Sequence, residues 1–272
     1  NAISCNNYMY CISSKMLNKM YAVQVPNLVN NSADMNISYH EVSNAWYNTQ
    51  TMASITQIDP SNGETKEKMV IFSDCEISIV EHVGSVLQTE SYKETVIEGS
   101  KDLLLNKKII RSSCSNEHYV YCIDSTNGVL KCWNYWNPSQ WEKDIASNPA
   151  FKRADFLLHL QEKTSANYSV SVWFVFVDLD IFIFKNERLT KVTMTSNEFI
   201  QVKFADYFRK NLVNSSDGCY SLLIITNDGA VRIATITTGL LTETVVLSQV
   251  RVTDPTIASK GLLQSCQKFA RK

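Results

Sequence analysis

Glycine is scarce in this 272-residue chain, with eight in all. A fold with many tight turns must therefore give most of them to Asn, Asp and Ser. Long hydrophobic runs are missing as well. No stretch reaches the roughly 18 uncharged apolar residues of a membrane-spanning helix, and the longest candidate, residues 169–184, is cut by Asp178 and Asp180. Nor is there an excess of charge of either sign. Lys and Arg number 26 against 27 Asp and Glu, a net charge of −1, which argues against a broad basic surface for nucleic acid. The eight cysteines are far too dilute for a disulfide scaffold, and no Cys-x-x-Cys pair occurs. Cys122 and Cys132 fall in apolar strand-like runs, where a reduced thiol acts as a small hydrophobe. That usage predicts a nuclear or cytoplasmic protein. Four Asn-x-Ser/Thr sequons, at Asn30, Asn36, Asn167 and Asn214, are about what chance gives in a chain so rich in Asn, Ser and Thr, and say nothing about secretion. The chain opens Asn-Ala-Ile without a signal-like segment, as an excised or processed piece would.

Catalytic signatures are equally sparse. His40, His82, His118 and His159 stand singly, without metal-ligand spacing. There is no Gly-x-Ser-x-Gly elbow, no phosphate-binding Gly-Lys loop and no Gly-x-Gly-x-x-Gly fingerprint. No catalytic residue, metal ligand, cofactor or small-molecule ligand is expected.

What the sequence does contain is a repeat. With 44% apolar and 19% charged residues it is an ordinary globular chain, and four segments share one shape: an apolar run, a polar turn, then an alternating strand. Aligned on the turn they fall at Asp74, Asn127, Asp178 and Asp228, about fifty residues apart. A looser copy precedes them, with Tyr8 to Ile12, a turn near Asn18, and residues 20–25. Further strand-like pieces lie upstream of each hairpin, at residues 53–58, 108–114, 156–160 and 199–204. Residues 245–252 read as the first strand of another unit. Val, Ile, Phe, Tyr and Thr dominate these pieces, with period-two alternation or short continuous apolar runs. Asn127-Gly128 and Asp228-Gly229 are pairs that accept positive φ in a two-residue hairpin turn. The chain is all-β.

Asn127-Gly-Val-Leu-Lys-Cys-Trp133-Asn134 resembles the Asp-Gly-x-Val-x-Ile-Trp-Asp pattern of the WD40 repeat. Asp228-Gly-Ala-Val-Arg-Ile-Ala-Thr235 matches its first half, and the units at Asp74 and Asp178 keep the Asp and the alternation without the Gly. The Gly-His dipeptide that usually precedes each repeat is absent. Over residues 8–252 the chain is therefore similar to a divergent WD40-like β-propeller, expected as a domain of residues 1–252, which implies four-stranded antiparallel blades set radially about a channel. Five hairpin units are recognisable. Only seven residues precede the first hairpin, so either the late strand at 245–252 closes the ring or the units belong to a six- or seven-bladed one. Residues 253–272 form a C-terminal extension with near-helical apolar spacing.

Tyr135, Trp136 and Trp141 stand close together beyond Trp133, which occupies the blade-packing Trp position that the resemblance implies. Residues 137–155, with Pro138 and Pro149, read as an irregular or partly helical insertion replacing the outer strand. Residues 27–50 read as a polar loop. Clustered Trp and Tyr are typical anchors of protein interfaces, so Trp136, Trp141 and Tyr135 are the candidate partner-binding residues. The expected function is a non-catalytic scaffold that binds other protein subunits of a larger, nuclear assembly. The nearest alternatives are a propeller hydrolase with channel carboxylates at Asp74, Asp178 and Asp228, and an extracellular recognition propeller.

Overall fold

A computed structural model describes residues 2–5, 8–12, 20–24, 39–42, 49–58, 61–73, 77–82, 92–96, 110–115, 119–134, 142–165, 168–194, 201–210, 218–228, 230–238 and 243–249. The described chain is all-β, with twenty strands in five four-stranded antiparallel sheets, and each sheet uses four strands consecutive in sequence. The first sheet contains β1 (Ala2–Cys5), β2 (Tyr8–Ile12), β3 (Met20–Gln24) and β4 (Tyr39–Val42). The second contains β5 (Thr51–Ile58), β6 (Thr65–Phe72), β7 (Ile77–His82) and β8 (Tyr92–Val96). The third contains β9 (Ile110–Ser115), β10 (Tyr119–Asp124), β11 (Val129–Asn134) and β12 (Glu142–Ser147). The fourth contains β13 (Phe156–Ser165), β14 (Tyr168–Val177), β15 (Asp180–Lys185) and β16 (Arg188–Thr193). The fifth contains β17 (Val202–Lys210), β18 (Gly218–Thr226), β19 (Val231–Thr238) and β20 (Glu243–Gln249). One 3₁₀ helix, Pro149–Arg153, separates β12 from β13. No helix among the described residues is long and apolar enough to cross a membrane.

Two compact units divide the chain. The first is Asn1–Tyr121 with Cys132–Lys143, and the second is Cys122–Lys131 with Asp144–Lys272. In the first unit, the leading strands of successive sheets are neighbours: β1 lies beside β5, and β5 beside β9. The Ser115 hydroxyl donates to the Ser54 carbonyl across the β5–β9 approach. Met69, Val70, Ile71 and Phe72 are all buried, 1% exposed at most. An unbroken buried run requires cover on both faces of the second sheet, and accounts for the continuous rather than alternating apolar sequence there.

The second unit repeats this logic. Leu158, Val172, Phe174, Phe176, Ile181 and Ile183 of the fourth sheet share one core with Tyr220, Leu222, Ile224, Ala234 and Ile236 of the fifth. Register places these residues on facing sides. Leu158 pairs with Phe174, which pairs with Ile183, while Leu222 pairs with Ala234. Phe174 and Tyr220 meet edge to face at 5.1 Å, a geometry in which ring edge and ring face attract.

Several expectations are corrected. Residues 245–252 do not begin a new unit. Glu243–Gln249 is the fourth strand of the fifth sheet, held by Ile236↔Val245 and Ala234↔Leu247. Nor do the first residues fall short of a strand. Pairing of Cys5 with Tyr8 leaves only Asn6 and Asn7 between β1 and β2, so Ala2–Cys5 supplies the missing first strand. The outer strand of the third sheet is present at Glu142–Ser147, because both prolines fall outside it. Pro149 instead starts the 3₁₀ helix, where its missing N–H costs nothing. Within residues 27–50, Tyr39–Val42 is the outer strand of the first sheet. The hairpin at Asn127-Gly128 is also not a two-residue turn. Four residues, Ser125 to Gly128, separate β10 from β11, and of these only Gly128 has positive φ, at 73°. The Asp124 carboxylate orders this turn by accepting from the Thr126 amide at 3.0 Å and the Asn127 side-chain amide at 3.1 Å. Asp74, the region of Asn18, Gly229 and residues 253–272 lie outside the described residues.

Candidate functional site

The third sheet carries the aromatic segment singled out in the sequence. Along β11, Leu130 and Trp133 are buried, the latter 2% exposed; their odd spacing puts them on opposite faces of the sheet, and Trp133 is a packing residue. Tyr135, Trp136 and Trp141 lie outside the described residues, in the chain between the end of β11 at Asn134 and the start of β12 at Glu142. The turn at 125–128 joins β10 to β11, which puts the first residue of β10 and the last of β11 at one end of the sheet. That first residue is Tyr119, 36% exposed, with its ring 6.3 Å from that of Tyr121. Tyr119 is a surface aromatic that the sequence reading missed. Its only signal was a Tyr-Val-Tyr start to a strand, and that pattern does not reveal which tyrosine faces water. An exposed aromatic ring in this position offers apolar area at the surface.

Cys132, on β11 beside Trp133, is half-buried. Burial pushes its thiol up to about 11 against a small opposing pull from Lys143, so it is not a poised nucleophile. His159 likewise sits in packing. Its ring is 5.4 Å from that of Trp173, which is 5.7 Å from Phe184, and its Nε2 lies 3.1 Å from the Ser171 hydroxyl. Burial lowers its pKa to about 4. No group of three or more His, Cys, Asp or Glu suited to a metal ion occurs among the described residues.

A second constellation lies at the hairpin-turn end of the second unit. Asn148 caps the 3₁₀ helix through its side-chain oxygen, which accepts from the Ala150 amide at 2.9 Å, and its own amide donates to the Gly128 carbonyl at 2.9 Å. Phe151 is fully buried, edge-on to Phe182 at 5.4 Å. The chain then places Asp155 between two sheets. One carboxylate oxygen accepts from the Asp178 amide at 3.0 Å, and the other accepts from the Gln201 side chain. Gln201 exchanges bonds with Asn227, amide to side-chain oxygen at 3.0 Å and carbonyl to amide at 2.9 Å. A continuous polar belt thus ties the turn of the third sheet to those of the fourth and fifth.

Two of the aspartates expected at turns, Asp178 and Asp228, stand at the turns that this belt joins. Asp178 has φ 51° and pairs with Arg153 at 3.1 Å. Asp228 accepts from the Thr226 hydroxyl at 2.5 Å and the Ala230 amide at 3.1 Å, and pairs with Arg232 at 2.7 Å. Those hydrogen bonds hold its carboxyl below its ordinary pKa. The Asp178 carboxylate is engaged by Arg153 of the 3₁₀ helix and that of Asp228 by its own hairpin, in keeping with a geometric role at the turn.

At the opposite end of the fourth sheet, Lys185 Nζ lies 2.7 Å from Glu162 Oε2 and 3.2 Å from the Tyr220 hydroxyl, joining the fourth sheet to the fifth. Burial alone would lower the Lys185 pKa, but the bonds to Glu162 and Tyr220 outweigh it and raise the value. Burial also raises that of Tyr220, against the opposing pull of Lys185.

No family model matches the sequence, and no curated protein matches it. Among solved structures, the chain is similar to PorZ of Porphyromonas gingivalis, described as an essential bacterial surface component of the type-IX secretion system. Identity is 7% and the TM-score 0.39, over 94% of this chain and 40% of that one. The chain thus spans well under half the length of that protein. A likeness of this size carries no argument about function.

Proposed function

We propose that this chain is a non-catalytic β-propeller of divergent WD40-like type, a scaffold binding other protein subunits within a larger assembly of the nucleus or cytoplasm. The observation that carries this reading is the succession of five four-stranded antiparallel sheets, each contiguous in sequence, with neighbouring leading strands inside each unit. Blades of this kind bury their apolar faces against one another and leave loops and strand ends free for contacts. The working surface is the end of the third sheet, where exposed Tyr119 stands beside the departure of the chain carrying Tyr135, Trp136 and Trp141. The internal engagement of Asp178 and Asp228 favours this reading over a hydrolase.

The test is native co-purification with the wild-type chain, with Trp136→Ala combined with Trp141→Ala, and with Tyr119→Ala. The expected result is loss of the bound partner with the melting temperature held within about 2 °C. Unchanged capture, or a collapsed melting temperature in the variants, removes the interface reading.

A further inference from the structure

The chain has two Asn-Gly steps, Asn62-Gly63 and Asn127-Gly128. In such a step the following residue has no side chain to keep its own nitrogen away from the Asn side chain. The Gly nitrogen, after losing its proton to solvent, can attack Asn Cγ. A C–N bond forms, the Cγ–Nδ2 bond breaks, and Nδ2 takes up a proton and departs as ammonia, leaving a five-membered succinimide. Water then opens the ring at one carbonyl or the other, giving Asp or isoaspartate. No oxidant or cofactor takes part. By sequence the two steps are equivalent, but their surroundings differ.

At Asn127 the reacting groups are held. Gly128 is buried, and its N–H donates to the Asp124 carbonyl at 2.8 Å. The Asn127 side-chain amide donates to the Asp124 carboxylate at 3.1 Å, so the leaving nitrogen is pinned. That carboxylate also accepts from the Thr126 amide, and its negative charge disfavours loss of a proton from amides of the turn. Attack requires the turn to open and surrender these bonds. At Asn62 the same dipeptide lies in the open. Ser61, Asn62, Gly63 and Glu64, between β5 and β6, are all exposed, and a methyl group on Gly63 would meet nothing within 4 Å. The Glu64 amide donates to Asn62 Oδ1 at 2.9 Å. This bond draws density from Cγ and stabilises the charge that gathers on Oδ1 as nitrogen adds. Asn62 Nδ2 donates to the exposed Glu64 carboxylate at 3.0 Å, a bond that water replaces at little cost.

We propose that Asn62 is a site of spontaneous covalent modification in the folded protein, converting through a succinimide to Asp and isoaspartate, and that the Asp124 turn shuts the same reaction off at Asn127. The modified tip gains a negative charge facing Glu64 in place of the amide that bonded it, so the Asn62–Glu64 clasp opens. The buried part of the second sheet is untouched, because β6 pairs with β7 over Met69 to Phe72, away from the tip. The chemistry needs no partner and is independent of the scaffold reading.

Peptide mapping by mass spectrometry tests it, on the intact chain incubated at neutral pH and body temperature, folded and in urea. In the folded chain Asn62 is expected to convert at least about tenfold faster than Asn127. In urea the two rates converge to within about threefold, since the turn that separates them is gone. Asp124→Asn, still folded by circular dichroism, raises the Asn127 rate at least about fivefold and leaves that of Asn62 unchanged. The wild-type comparison of folded and unfolded chain decides by itself if that variant does not fold. The proposal is overturned by equal rates at the two sites in the folded chain, by faster conversion of Asn127, by a gap that persists in urea, or by an unchanged Asn127 rate in folded Asp124→Asn.

Discussion

Gly128 and Asn148 meet backbone to backbone: a methyl group on Gly128 would sit 2.6 Å from the Asn148 carbonyl oxygen, at a φ of 73° that side chains rarely adopt. Neither backbone can give way easily, because the Asn148 amide is bonded to the Gly128 carbonyl. Gly128→Ala is expected to cost about 2–3 kcal/mol, the sum of a left-handed residue and a contact closer than van der Waals distance. Urea unfolding measures it. A loss under about 0.5 kcal/mol would mean that the close approach is not enforced.

Asn186 and Glu187 form the turn between β15 and β16, and both have positive φ, 49° and 62°. Together with the Lys185↔Arg188 pair this is a two-residue type I′ turn, which tolerates Asn and prefers Gly at its second position. Glu187→Gly is therefore expected to stabilise the protein by about 0.5–1 kcal/mol, and Glu187→Val to destabilise it. Thermal melting of the two variants should move in opposite directions.

Lys185 and Glu162 are a partly buried pair, with side chains 29% and 13% exposed. Lys185→Met leaves the Glu162 carboxylate without this cation and is expected to cost about 1–3 kcal/mol, reduced from the fully buried case by solvent access. Combining it with Glu162→Gln should restore part of the loss in a double-mutant cycle. Strict additivity of the two losses would show that the pair does not couple.

His159 gives the acid side of the stability profile. Burial depresses its pKa in the folded chain from 6.5 to about 4, so below its unfolded value the unfolded chain takes up the proton first. Stability is present above about pH 6.5 and is lost as pH falls toward 4. His159→Gln should flatten that part of the curve relative to wild type, measured as the urea midpoint between pH 7 and 4. Identical slopes would assign the acid loss to other groups.

The inner strands were legible because they must be apolar. The run from Val172 to Val177 and the alternation in Ile181 and Ile183 are dictated by burial against a neighbouring sheet. Outer strands were fainter in the sequence for the converse reason. Arg188–Thr193 buries one side chain fully, Val192, and Glu142–Ser147 begins Glu-Lys-Asp, since an edge strand is held mainly by its backbone and needs little apolar sequence. The Asn186-Glu187 turn was unreadable because strand twist, not a glycine, sets its conformation. At the candidate site, the burial of Trp133 agrees with the packing position that the WD40 resemblance implies, whereas Tyr119 required coordinates. The belt through Asp155 and Gln201 joins residues 46 positions apart, a separation no local pattern encodes.

Because every sheet is assembled from a single uninterrupted stretch of chain, its backbone ladder closes without waiting for distant segments. Such a molecule can gain or lose whole sheets by duplication or deletion of about fifty codons while the surviving ladders stay intact. The number of sheets is thereby open to evolutionary change in a way that the pairing within each of them is not.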